Sequence, residues 1–144
     1  MIEPDTIKLL RECDAGIKMG VSSIDDVIEY VHDKKLHTAL IECRNKHIEL
    51  QEKIQKLLDR YDDEGKEPNI IAKGMSFMKT NVKLVVHESD STIADLMTDG
   101  CNMGVKSLTK YLNQYKAADE ETKDITKKLI KIEETLVDDI KQFL

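Results

Sequence analysis

The chain has no tryptophan, two prolines and few aromatics, which make up 4% of its 144 residues. Sheets draw on aromatic and β-branched residues and need frequent turn residues, so this poverty argues for an all-α fold. No apolar run is long enough to span a bilayer, so a membrane is not an expected partner. The opening "MIEPDTIKLL" lacks a basic region, an apolar stretch and a small-residue cleavage site, so no secretory signal is expected there. No basic block stands out in a chain of net charge −6, and nucleic acid is not an expected partner either. The acidity favours cations or basic partners. Neither GxGxxG nor GxxxxGK[ST] is present to hold a nucleotide. Cysteine is scarce and odd in number: Cys13, Cys43 and Cys101, with no CxxC. That pattern indicates neither a disulfide framework nor a zinc knuckle. It fits a reducing, cytoplasmic compartment in which thiols serve as small apolar residues.

What is present is helical patterning. At 40% hydrophobic and 35% charged residues, the chain has the size and composition of one domain with a continuous core. Asp5 follows Pro4 and reads as a helix N-cap. A first seam then runs Leu10, Asp14, Ile17, Val21, Ile24, Ile28 and Val31, in alternating steps of four and three. "HDKK" interrupts it, with Asp33 as the next cap. A second seam runs Leu36, Leu40, Cys43, His47, Leu50, Ile54, Leu57 and Tyr61. "DDEGKEP" at 62–68 reads as a loop. An amphipathic third run covers 69–87, and "ESDST" supplies capping residues after it. The fourth seam is Ala94, Thr98, Cys101, Val105, Leu108, Leu112 and Tyr115. A break at 117–122 precedes a last seam of Ile125, Leu129, Ile132, Leu136 and Phe143, with Ile140 beside it.

One phrase occurs twice: "GIKMGVSSI" at 16–24 and "GCNMGVKSL" at 100–108. A shift of 84 residues lays the first segment on the fourth, Leu10 on Ala94 and Ile24 on Leu108. A shift of 89 lays the second on the last, Leu36 on Ile125 and His47 on Leu136. The chain therefore reads as a hairpin over about 5–61, a crossover helix over about 69–87 and a second, pseudo-equivalent hairpin over about 89–144. Two such hairpins bury their stripes by packing into a four-helix bundle with an extra crossover helix. Gly16 and Gly20, like Gly100 and Gly104, are spaced by four. Each glycine costs about 0.5–1 kcal/mol in a helix interior. The expected return is close packing between the two equivalent helices near a pseudo-twofold axis.

This organisation resembles the ferritin-like superfamily, and more narrowly the small bacterial ferritin-like bundle proteins akin to rubrerythrin-type and bacterioferritin-type domains cut to the bundle. The resemblance implies a di-iron site built from one Glu on each first helix and an ExxH pair on each second helix. Carried over, Asp14 stands at the first carboxylate position and His47 at the first histidine, with Arg44 where its Glu would be. Thr98 stands at the second carboxylate position, Glu133 at the second ExxH glutamate and Leu136 at its histidine. The surviving metal candidates are Asp14, His47 and Glu133, for iron, manganese or zinc. The competing reading makes Asp14–His47 a buried hydrogen-bonded pair and Glu133–Arg44 an ion pair across the bundle. A zinc cluster of Cys13, Cys43 and His47 is a further candidate. A nucleophilic thiol paired with His47 has no helix N-terminus to activate it. His32, His37 and His87 lie near segment ends and read as solvated. Met75, Phe77 and Met78 give the third run a docking face, with a mild basic bias from Lys73, Lys79 and Lys83.

The expected protein is thus a non-catalytic bundle with a degenerate metal site and no resident cofactor, acting through protein interaction, with a homodimer through the third run as one assembly. The alternative is a metal-binding oxidoreductase or metal-handling protein.

Overall fold

A computed structural model describes residues 4–68 and 89–144. The third run at 69–87, expected to be the crossover helix, lies outside the described residues. Among those described there are four α-helices and no strand: α1 (Pro4–Val27), α2 (Lys34–Arg60), α3 (Asp90–Gln114) and α4 (Glu120–Ile140).

The helix ends follow from local chemistry. Pro4 opens α1, where a missing N–H leaves no bond unmade. Asp5, expected to cap, lies inside that first turn, and its carboxylate accepts the Ala117 N–H instead at 3.1 Å. Asp33 caps α2, its Oδ1 accepting from Lys35 N at 2.7 Å and Leu36 N at 3.2 Å. Asp119 caps α4 in the same way, accepting from Thr122 N at 2.8 Å. At the far end of α2 the chain leaves through Asp62 in the left-handed region, φ 54°. Asp63 N then donates to Leu58 O at 2.8 Å and Asp62 N to Asp59 O at 3.1 Å, which ties off the last carbonyls of the helix. The Asp90 carboxylate, in the first turn of α3, accepts both His32 N and Asp33 N at 2.8 Å. One acidic side chain thereby holds the α1–α2 connection against the start of α3.

The buried residues fall into two clusters. One gathers Ile24 and Val27 of α1, Leu36 and Leu40 of α2, Ile93 and Met97 of α3, and Leu136 and Ile140 of α4. The other gathers Leu10 and Ile17 of α1, Ile54 and Leu58 of α2, Leu108 of α3, and Ile125 and Leu129 of α4. The late part of α1 therefore packs with the early parts of α2 and α3 and the late part of α4. It follows that α1 is antiparallel to α2 and α3, and α4 is antiparallel to α2 and α3. The chain leaves α2 at one end of the bundle and enters α3 at the other.

Burial also corrects the match between the second helices of the two hairpins. A shift of 86, three short of the expected 89, lays Leu36, Leu40, Cys43, His47, Leu50 and Ile54 on Thr122, Thr126, Leu129, Glu133, Leu136 and Ile140. All of these are buried. The same shift lays the Asp33 cap on the Asp119 cap. The expected seam went through Ile132, which is half-buried, because Thr122, Thr126 and Glu133 are polar and apolar periodicity passes over them.

Replacing Asp33 by Ala removes the acceptor for two N–H groups at the start of α2. Urea denaturation of Asp33→Ala is expected to show a loss of about 0.5–2 kcal/mol with an unchanged m-value.

Candidate functional site

Between the two apolar clusters lies a layer to which each helix contributes one residue. Gly20 falls between Ile17 and Ile24, His47 between Cys43 and Leu50, Gly104 between Cys101 and Leu108, and Glu133 between Leu129 and Leu136. His47 is 1% exposed and Glu133 is 8% exposed. The His47 Nε2 donates to Glu133 Oε1 at 3.0 Å, and Nδ1 donates to the Cys43 carbonyl oxygen at 2.8 Å. Each ring nitrogen faces an oxygen acceptor, so the bonding pattern calls for a hydrogen on both and a cationic ring. Burial by itself lowers the His47 pKa. The contact with the Cys43 thiol, whose sulfur lies 3.6 Å from Nδ1, and the bond to Glu133 outweigh it, and the value is pushed up to about 10.

The repeated glycines make this layer. A Cβ on Gly20 would stand 2.8 Å from His47 Nε2 and 2.9 Å from its Cδ2, and one on Gly104 would stand 3.5–3.6 Å from the Glu133 carboxylate. Each glycine thus faces the polar side chain of its own hairpin partner. This replaces the expectation that the glycines bring the two equivalent helices together. The first glycine of each copy plays no such part. Among the described residues, a Cβ on Gly16 would meet only a Leu129 methyl at 4.0 Å and one on Gly100 would meet nothing within 4 Å.

Of the three predicted metal residues, His47 and Glu133 come together and Asp14 does not join them. Asp14 precedes Gly20 by six residues, about 9 Å along the helix axis. Its buried Oδ2 accepts from Lys66 N and pairs with Lys18 Nζ, both at 3.0 Å. Its Oδ1 is buried with no hydrogen-bond partner among the described residues. The Asp14–His47 pair therefore does not form. Nor does Glu133 meet Arg44, whose guanidinium turns outward to Asp25 at 2.7 Å.

Asp14 instead anchors the loop after α2. Gly65, at φ 81°, lies so close that a Cβ would collide with Asp14 Oδ2. Around it Arg11 binds Asp63, Lys18 binds Glu67 and Lys66 binds Glu12. The Arg11 guanidinium holds the Asp63 carboxyl below its usual range.

The expected zinc cluster of Cys13, Cys43 and His47 is also not assembled. Cys13 bonds Thr126 Oγ1 at 3.1 Å, and burial pushes its thiol up to about 12. Cys101 lies near Glu133, and burial with that negative charge pushes its thiol still further up. Cys43 Sγ lies 3.6 Å from His47 Nδ1. Among the described residues no group of three or more His, Cys, Asp or Glu side chains is arranged to hold a metal ion.

A di-iron centre of the ferritin kind does not fit these residues. Three of its four carboxylate positions hold Asp14, already engaged by Lys66 and Lys18, Arg44, which faces Asp25, and Thr98, and the fourth, Glu133, is bonded to His47. The last histidine position is Leu136, packed in the apolar core.

The bundle is similar to the crystal structure of a DUF305 fragment from Deinococcus radiodurans, with a TM-score of 0.75. The match covers 98% of this chain and 95% of that one at 9% identity, which speaks to the fold alone. No protein-family model and no curated protein matches the sequence. No described helix is long and apolar enough to cross a membrane.

The asymmetry of the layer gives a paired test. Gly20→Ala forces the His47 ring to move and is expected to cost about 1–3 kcal/mol. Gly104→Ala meets Glu133 at ordinary contact distance and is expected to be neutral or to gain up to about 1 kcal/mol from helix propensity. Thermal or urea unfolding of the two variants separates them.

The raised His47 pKa also sets a pH window. The stabilisation from the charged ring is complete below the unfolded value of about 6.5 and is lost as pH rises through about 10. Wild-type stability minus that of His47→Gln should therefore shrink steadily between pH 6.5 and 10, as read by denaturant midpoints.

Proposed function

We propose that this chain is a non-catalytic, ferritin-like helical scaffold whose inward polar positions are a degenerate metal site, and that it works through contact with another protein in a reducing, cytoplasmic compartment. The observation that carries this reading is the bonding of His47. Both ring nitrogens are engaged by oxygen acceptors within the bundle, and the carboxylate that should share a metal with it is bonded to it directly. Catalysis by acid–base exchange needs a group free to take or give a proton, and this pair is closed. The ferritin-like part of the reading is supported by the antiparallel placement of α2 against α4 and by the far-apart ends of α2 and α3. The three free, buried thiols fit a reducing compartment. Met103, in the second copy of the repeated phrase, is a large apolar side chain left 63% exposed and offers a contact point for a partner or a second copy.

A second reading, metal binding, is favoured by one feature. The Nδ1 bond to a backbone carbonyl fixes the ring so that Nε2 points at Glu133, as histidines that ligate metals are commonly held. Elemental analysis of protein purified without a His tag, after aerobic reconstitution with iron, manganese or zinc, distinguishes the two. The scaffold reading expects no metal near one equivalent per chain. Stoichiometric metal abolished by His47→Ala would overturn it. For self-association, light scattering is expected to give a mass above the 16.5 kDa of one chain, and Met103→Glu to reduce it. A monomer at all concentrations removes the homodimer.

A further inference from the structure

Along the outside of α3, Asp95, Asp99, Met103, Lys106 and Lys110 follow one another in steps of four, four, three and four, which makes them one stripe. All five are exposed, and Met103 stands 63% open to solvent at the middle of the stripe. The acidic pair lies on its N-terminal side and the basic pair on its C-terminal side. Among the described residues no ion pair or hydrogen bond engages any of these four charges. Their own helix does not serve them either. None has an opposite charge three or four residues away, and Asp95–Asp99 and Lys106–Lys110 are like-charged neighbours four apart, a mildly unfavourable arrangement. The positions also have a centre. Asp99 and Lys106 are equidistant from the midpoint between Asn102 and Met103, and so are Asp95 and Lys110.

We propose that this stripe is a homodimer face, on which α3 of a second copy packs antiparallel about a twofold axis passing between Asn102 and Met103. The proposal rests on the reading of the chain as a scaffold that works through protein contact, and it names the partner and the face. Such an axis sets Asp99 opposite Lys106 of the second copy and Asp95 opposite its Lys110, and each pair occurs twice. The inner pairs lie about 5 Å and the outer about 11 Å from the axis along the helix. Lysine side chains span the remaining gap at the shallow crossing angle of about 20° usual in bundles. Four ion pairs then flank a centre in which Met103 is covered. Charge placed symmetrically about a midpoint is what an isologous contact requires, and a different protein has no use for it. The stripe is neutral although the chain carries −6, so two copies meet here with no like charges opposed. A parallel arrangement would oppose Asp to Asp and Lys to Lys, so the same charges exclude it. One helix face makes a contact of the small class, under about 1,200 Å², and the dimer is therefore concentration-dependent.

The test compares two variants of the full chain with the same composition and the same net charge. Asp99→Lys/Lys106→Asp keeps unlike charges at every opposed position. Asp99→Lys/Lys110→Asp sets like against like at all four. Sedimentation velocity over a concentration series at physiological salt is expected to show a reversible dimer for the wild type. The first variant should match its Kd within about threefold, and the second should be weaker by about tenfold or more. Both should keep the wild-type circular dichroism and denaturant midpoint, because the changed side chains are exposed. A wild type that stays monomeric would overturn the proposal, and so would a dimer that the two exchanges affect equally. Masses that grow beyond two chains would overturn it as well, because a twofold contact closes at two. None of these results touches the scaffold reading, which would retain a different face or a different protein as its contact and fails on stoichiometric metal instead.

Discussion

The His47–Glu133 bond at the centre of the bundle is the interaction on which the rest of the structure depends. A cation and an anion can share a dry core only when both are present and the remaining donors are satisfied. Here the second donor of the ring finds the Cys43 carbonyl one turn back in its own helix. Both side chains also need volume in a layer where four helices converge. Gly20 and Gly104 supply it by having no side chains of their own. The layer is therefore a joint solution for charge and space, and each helix has one position it must bring to the same level. Sliding α4 along α2 by one turn would leave a buried charge without its partner, which makes the pair a register marker of the kind buried polar groups provide in coiled coils.

A second polar centre works differently. Asp14 belongs to the same helix as Gly20, yet it serves the loop after α2 rather than the core layer. Its carboxylate takes a backbone N–H of that loop and a lysine, and three further ion pairs tie the loop's charges to α1. Exposed pairs of this type contribute little each. Their value lies in fixing the place where the chain turns away from α2. Residues that a metal-binding bundle would place around an ion are thus distributed between a structural layer and a loop anchor. The shared fold with a DUF305 fragment is compatible with either outcome, since a fold hosts sites without specifying them.

Much of the architecture was legible in the chain. The apolar steps of four and three along α2 correspond to buried positions as far as Leu57, and Asp33 stood out as a cap. In α1 the seam is buried at Leu10, Asp14, Ile17 and Ile24 and half-buried at Val21 and Ile28, and in α3 only Ala94, Cys101 and Leu108 of the seam are buried, while Ile93 and Met97 beside it are buried too. The last helix was harder. Its buried face includes Thr122, Thr126 and Glu133, so a search for apolar periodicity slid by three residues onto Ile125, Leu129 and Ile132. The caps held the better signal, because Asp33 and Asp119 relate the second helices by the same shift as their buried residues. His47 and Glu133 were legible as inward-facing polar residues, but their being each other's partner was not. Asp14 was equally visible, but beside Lys18 one turn on, its partner is a backbone N–H in a loop 52 residues away.

What the sequence determined by itself was the four described helices, much of their stripes and the recurrence of a glycine-bearing phrase. These are local or periodic properties, written in residues a few positions apart. The tertiary structure decided which polar residue answers which. The strength of His47 as a base, the tolerance of each glycine and the setting of each thiol depend on atoms that meet across 86 or 113 residues of chain. Such contacts are fixed by how the two hairpins dock, and docking is settled by volume and unpaired charge at one level of the core.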